Sequence, residues 1–537
     1  MKRLSKKQMI IFAIGQFGWS LLSGIISAWL VTYYLPTSGD LKVGGTQYIL
    51  PGLLGGFITV LGIITASSRI FDAVTDPLIA SLSDRSKNPK GRRMPFMMKA
   101  AIPLSIVTVL LFCAPFGAYD AGGNVANFIW ISVAIILFYF FMTMYCTPYN
   151  ALISEFGKTQ EDRMYISTSI SLTFFAGTLI AYLPFVLAGG SYDKETGVTT
   201  YNIITTLFRN GGLSDGDAYA WSFRVCFIFL AVIACVAMML PTFLIKEKDY
   251  VEGKPSNENV FKSLVSTFKN KDFRTFSASD IMYWVGLTLF QTGLPFFVKV
   301  SMGFPGSMVM VFMGGMTVLS AVFYPFVTKM VKKFGKKKLV IAGFLGLAIC
   351  YAITAISSLP GFLPEEGSAD ALSWVFGIVI MVIAALPMAL LGIIPQSIVA
   401  DVAEAEAVTT GENREGMFFA ARTFAMKFGQ SIAMVLFTSL AIIGAEKVEY
   451  DEFGNKLNDI TASKLGLMIA AIVAVTFCVL GAVILFFYRE KKIMKTIAKE
   501  GDEAFLKAIE NEKEPEEQPV EQPAPAEEKA EPVQEQE

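Results

Sequence analysis

The feature that most constrains this chain is the length of its apolar runs. Residues 130–153 hold no charged side chain, and comparable blocks recur along most of the 537 residues. The hydrocarbon core of a bilayer is about 30 Å thick and a helix rises about 1.5 Å per residue, so a spanning helix needs roughly 20 mostly apolar residues. A soluble chain would show shorter amphipathic stripes. Composition agrees: 53% of residues are hydrophobic and 17% charged, against about 45–50% and about 25% in ordinary soluble domains.

Twelve spans are predicted, over residues 9–35, 48–82, 96–117, 127–153, 165–189, 219–245, 276–300, 306–331, 338–358, 372–400, 416–445 and 462–488. The first follows MKRLSKKQM and is too long for a signal-peptide core, so it reads as an uncleaved span. An even count puts both termini on one side. Basic residues collect before span one and after spans two, six, eight and twelve, for example Arg85, Lys87, Lys90, Arg92 and Arg93, or Lys332, Lys333 and Lys336. The loops on the other side are acidic or mixed. The positive-inside rule then makes both termini cytoplasmic and the location the cell membrane.

The chain also repeats weakly. SDRSKNPKGRR after span two has a counterpart in KKFGKKK after span eight, and ISEFGKTQEDR after span four in VADVAEAEAVTTGENR after span ten. The expected fold is therefore an all-α polytopic membrane protein of two six-helix halves, 1–245 and 276–488. A cytoplasmic loop over 246–275 joins the halves. A charged tail over 489–537 follows, rich in Pro, Glu and Gln from Glu514 and expected to be disordered.

Several chemistries are excluded. The chain has no histidine, which removes His-based metal sites, general bases and proton relays. Its six cysteines lie in apolar blocks without CxxC spacing, so neither zinc nor a disulfide framework is indicated. No P-loop or nucleophile elbow is present, so no enzyme is expected. The basic loops are a topology signal and imply no nucleic-acid partner.

The most informative stretch is SSRIFDAVTDPLIASLSDR. Asp72 and Asp76 are four residues apart and share one helix face. Asp84 marks the cytoplasmic end, and twelve residues of helix, about 18 Å, place Asp72 near mid-membrane. A carboxylate there costs about 2.5–3.5 kcal/mol on insertion scales. A pair repels, so either one holds its proton or a cation sits between them. The plainer alternative is a structural ion pair with Arg69, which leaves the second carboxylate uncompensated.

RIFDAVTDPLIASLSDR…GRRMPF is similar to the span-two signature of the glycoside–pentoside–hexuronide:cation symporters of the major facilitator superfamily. The resemblance extends to YNALISE…DR after span four and VADVAEAE…TGENREG…K after span ten. It covers nearly the whole membrane region but not the tail. It implies the major facilitator fold and coupled uptake of a sugar or glycoside with sodium, lithium or a proton. No resident cofactor or metal is implied.

The resemblance implies a cation site of Asp72, Thr75, Asp76 and Thr143, with Lys427 and Arg69 balancing charge. Thr75 stands where sodium-using members carry asparagine. The family's charged sugar contacts are missing: a Lys-Asp pair in span one is replaced by Trp19 and Ser20, and other contacts by Cys146, Asn150 and Ile170. Gln16, Trp19, Ser20, Tyr149, Asn150, Gln291 and Gln396 are left as candidates for the solute cavity. Any single one of them is more often helix–helix glue. Asp84, Arg85, Gly91, Arg92 and Arg93 read as a cytoplasmic gate, with Glu155–Arg163 and Asp401–Arg414 as clamps. Rival readings on the same scaffold are a carrier of lipid-like amphiphiles and a membrane sensor or assembly component that moves nothing. The expected partners are the bilayer, a monovalent cation and a small solute.

Overall fold

A computed structural model describes residues 3–50, 53–54, 58–86, 88, 91–118, 123–157, 160–250, 265–410, 415–445 and 460–497. Twelve long helices dominate it. In the first half they are α1 Lys6–Tyr34, α2 Val60–Asp84, α3 Met94–Leu111, α4 Asn124–Phe156, α5 Gln160–Ile180 and α6 Asp215–Leu244. In the second they are α7 Lys271–Phe296, α8 Ser307–Phe334, α9 Lys336–Ser357, α10 Ala371–Thr410, α11 Glu415–Leu440 and α12 Lys464–Phe486. The face on which α1 begins and α12 ends is the terminal face; the opposite one is the far face.

Ten of the twelve are long and apolar enough to cross a membrane. The two that fall short are α2 and α11, the helices that carry Arg69, Asp72 and Asp76 and Arg422 and Lys427. Helix starts follow local capping chemistry. Ser5 and Gln8 form a reciprocal capping box at α1, and the side chains of Thr59, Ser214, Asn270 and Ser463 accept first-turn N–H groups at α2, α6, α7 and α12.

Packing repeats with an offset of six helices. Helix α1 lies on α5 and α6, α2 on α4, and α3 on α4 and α6; likewise α7 lies on α11 and α12, α8 on α10, and α9 on α10 and α12. The halves meet through α2 against α11, α1 against α7, and α8 against the short helix Pro184–Leu187 after α5. On α2 the side chains of Ile63, Ile70, Val74, Leu78 and Leu82 are exposed along one stripe, whereas Thr65, Ser68, Asp72 and Thr75 are buried. This division is that of a helix with one face to lipid and a polar face to protein.

Two predicted boundaries need correction. Span two begins at Val60, not residue 48, because PGLLGG precedes it and Leu53–Leu54 pairs antiparallel with Ile58–Thr59. Span ten runs on past Asp401 to Thr410, since backbone hydrogen bonding continues where hydrophobicity stops. The tail beyond Ile497 and residues 251–264 of the central loop lie outside the described residues.

Candidate functional site

Where α2 and α11 meet, each half contributes charge. Asp72 and Asp76 stand one turn apart on α2, and α4 sets Thr143 and Thr147 opposite them with the same spacing. The Thr143 hydroxyl donates to Asp72 Oδ1 at 2.5 Å and the Thr147 hydroxyl to Asp76 Oδ1 at 3.2 Å. From α11, Lys427 Nζ lies 2.8 Å from Asp72 Oδ2 and 2.6 Å from Asp76 Oδ2. One ammonium therefore serves two carboxylates, and the group carries one excess negative charge. The Asp72 side chain is 5% exposed and that of Asp76 24%, so Asp76 is the accessible end.

Of the predicted cation ligands, Asp72, Asp76 and Thr143 come together. Thr75 is buried beside them, but its hydroxyl donates to the Asp72 carbonyl at 3.0 Å. Thr147 was not foreseen, although its place one turn from Thr143 is the signal that would have found it. Arg69 makes no ion pair with a described carboxylate. Its guanidinium lies over the Tyr139 ring, 4.6 Å from the centroid, and its Nε has no hydrogen-bond partner.

The predicted solute residues divide. Asn150 and Gln396 are exposed and Gln291 and Trp19 half-buried, with the Trp19 indole N–H unpartnered. Gln16 is buried. Tyr149 and Ser20 are buried in helix–helix contacts. Tyr149 is wholly buried, stacks on Phe12 at 4.3 Å between centroids and donates to the Phe12 carbonyl at 2.8 Å. Ser20 is buried against α5 beside Gly177 and donates to Phe17 O at 3.0 Å.

At the terminal face, Glu155 at the end of α4 binds Arg92 at 3.2 Å and Arg93 at 2.7 Å. Burial pushes the Glu155 carboxyl up, against the pull of the two guanidinium groups. Glu247, just after α6, accepts the backbone N–H groups of Arg92, Arg93 and Met94 at 2.9–3.1 Å. Gly91, with φ +133°, makes that close approach possible. The second half repeats the device: Lys336 Nζ pairs with Asp401 at 2.5 Å, and Glu490, after α12, accepts the N–H groups of Lys336 and Lys337 at 2.7 and 3.1 Å. Arg85 is exposed at the end of α2. The side chains of Asp84 and Arg163, and all of Arg414, lie outside the described residues. Among those described, Glu155 and Asp401 find their cations within their own half.

The far face is joined across the halves. Lys299, beyond α7, sits 2.5 Å from Asp40 and 3.3 Å from Glu366 and donates to Thr37 Oγ1 at 2.9 Å. Glu366 also accepts from Thr37 Oγ1 at 2.7 Å and from the Gly39 N–H at 2.9 Å. Ser368 donates to Asp193 at 2.8 Å, the Gln47 amide to the Ile460 carbonyl at 2.9 Å, and Thr59 to Thr438 at 2.7 Å.

Comparison with known proteins gives a consistent picture. The family described as MFS/sugar transport protein matches residues 11–491. The uncharacterized symporter YjmB of Bacillus subtilis is 24% identical over 456 residues, 82% of this chain and 84% of that protein. The lactose permease of Leuconostoc lactis is 25% identical over 306 residues, 56% of this chain and 43% of that one. Among solved structures, the inward-open xylose transporter XylE of E. coli superposes with a TM-score of 0.58 at 14% identity, covering 93% of this chain and 98% of its own.

Proposed function

The chain belongs to the MFS/sugar transport protein family of multi-pass membrane transporters, not to an enzyme family, and from that premise we propose that it is a cation-coupled symporter of a sugar-type solute working by alternating access. The observation that carries this reading is Lys427 held between Asp72 and Asp76, a contact between halves at the helix crossing α2–α11. A sodium ion or proton that enters over Asp76 competes with the ammonium for the same oxygens. Asp72, Asp76, Thr143 and Thr147 offer six side-chain oxygens from two adjacent turns of α2 and of α4. Cation binding then frees Lys427 and loosens the seam on which the halves rock, and that movement admits the solute. Without a cation, the lysine takes its place and compensates one of the two carboxylate charges.

Basic residues at the terminal face support a cytoplasmic position for it in the cell membrane. The far-face network then corresponds to a state closed to the outside. Asp76→Asn, reconstituted in vesicles, is the test. It should insert and fold, yet accumulate no solute in response to a cation gradient; gradient-driven accumulation at the wild-type level would overturn the assignment.

A further inference from the structure

Arg224 stands on α6, whose first turn is at the far face, nine residues or about 14 Å from Asp215. Among the described residues no carboxylate pairs with it. It is half-buried between exposed Trp221 and Ile228, at the edge of the face that α6 turns to lipid. Its guanidinium lies over the Trp221 ring, 5.3 Å from the centroid, and Nε is buried with no acceptor. Its charge acts on Tyr33, Tyr34 and Cys113 at the far-face ends of α1 and α3, so it lines the seam between α3 and α6. The last carbonyls of α3 are engaged elsewhere. Leu110 O accepts from the Trp130 indole at 3.0 Å, Leu111 O from the Tyr34 hydroxyl, and Phe112 O from the Tyr33 hydroxyl at 2.9 Å.

The surroundings are those of a lipid headgroup. Trp221 and Trp130 each lie six residues inside the far-face ends of α6 and α4, about 9 Å, which marks the membrane interface on that side. Helical side chains lean toward the N-terminus of their own helix, so the Arg224 fork reaches back from its greater depth toward that level. Both helices of the seam carry exposed apolar rows, Ile102, Ile106 and Leu110 on α3 and Val225, Ile228 and Val232 on α6. The short helix Ile203–Asn210 extends this surface. It exposes Ile203 and Leu207, and its buried Thr205 donates to Ser222 of α6 at 2.9 Å. An open guanidinium fork suits a phosphodiester, and with no paired carboxylate beside it nothing there holds the ammonium of a zwitterionic headgroup. We propose that the far-face end of the α3–α6 seam binds one anionic phospholipid, with its phosphodiester on Arg224 and its acyl chains along the apolar rows. The proposal does not depend on the symport reading.

The experiment places the full chain in phosphatidylcholine nanodiscs that contain a photoreactive phosphatidylglycerol, with its reactive group beside the headgroup, and maps the crosslinked peptides. Label should appear at the end of α3 and around Trp221, and excess phosphatidylglycerol should suppress it where excess phosphatidylcholine does not. Arg224→Gln should cut the label there by roughly tenfold, and Arg224→Lys by less. Lys332→Gln, at the terminal face, should leave it unchanged. Melting temperature separates a lipid site from a purely structural arginine. Arg224→Gln should lose only the extra stability that phosphatidylglycerol gives wild type, whereas loss of a structural contact lowers stability equally in both lipids. If Arg224→Gln does not fold, Arg224→Lys and the competition on wild type decide. Equal label in the variant, equal competition by phosphatidylcholine, suppression by inorganic phosphate alone, or the same stability loss in both lipids would overturn the proposal.

Discussion

At the scale of the residue, Lys427 decides the behaviour of the site. An ammonium that bridges two buried carboxylates makes strong charge-assisted bonds, and removing one partner of such a group costs about 3–5 kcal/mol because the other charges stay buried. Lys427→Gln should therefore be less stable than wild type in cation-free buffer and regain more stability as cation is added. If lysine and cation compete, the variant's midpoint in a sodium or proton titration of melting temperature moves to lower concentration; a move to higher concentration would mean that Lys427 assists binding. Tyr149 gives the opposite kind of case. Tyr149→Phe removes one buried hydrogen bond to Phe12 and should cost about 1 kcal/mol, with no change in solute affinity, because the side chain belongs to the α1–α4 interface.

At the scale of the element, carboxylates from the ends of α6 and α12 tie down the starts of α3 and α9. Glu247 meets three N–H groups at a helix N-terminus, where hydrogen bonding and the helix dipole both favour a negative charge. Glu247→Ala should lower unfolding stability by about 1–2 kcal/mol. Glu490 adds a pH dependence. Burial pushes its carboxyl up, against the N–H groups of Lys336 and Lys337 and the Lys336 charge. A carboxyl raised in the folded state holds its proton more firmly when folded than when unfolded. Its contribution is complete below the unfolded value, about 4.3, and falls as pH rises through the folded one. Glu490→Gln cannot titrate, so the melting-temperature difference, wild type minus variant, should shrink from pH 4 to pH 7.

At the scale of the whole molecule, two six-helix halves are held together by α2–α11 at mid-membrane and by Lys299, Asp40 and Glu366 at the far face. Lys299→Met leaves two buried carboxylates facing each other, a penalty of about 3–5 kcal/mol borne by the far-face-closed state. The equilibrium should move toward far-face opening. Spin labels at Lys194 and Glu365, a surface pair 3.6 Å apart from opposite halves, should separate in Lys299→Met; an unchanged distance would show that the apolar contacts alone keep that face shut.

Hydrophobic length, charge placement and turn chemistry are local properties, so the chain by itself determined the twelve helices, their alternation, the paired halves and the presence of carboxylates inside the membrane. It could not determine which cation those carboxylates hold. Arg69 is three residues from Asp72, whereas Lys427 is 351 residues from Asp76, and the choice between them depends on how α2 and α11 are rotated when packed. Helix packing inside the first half, equally invisible in composition, buries Tyr149 against α1, brings Thr147 to Asp76 and leaves Arg69 against Tyr139. Side-chain partners across a helix seam are a property of packing, and packing existed only once the helices had met.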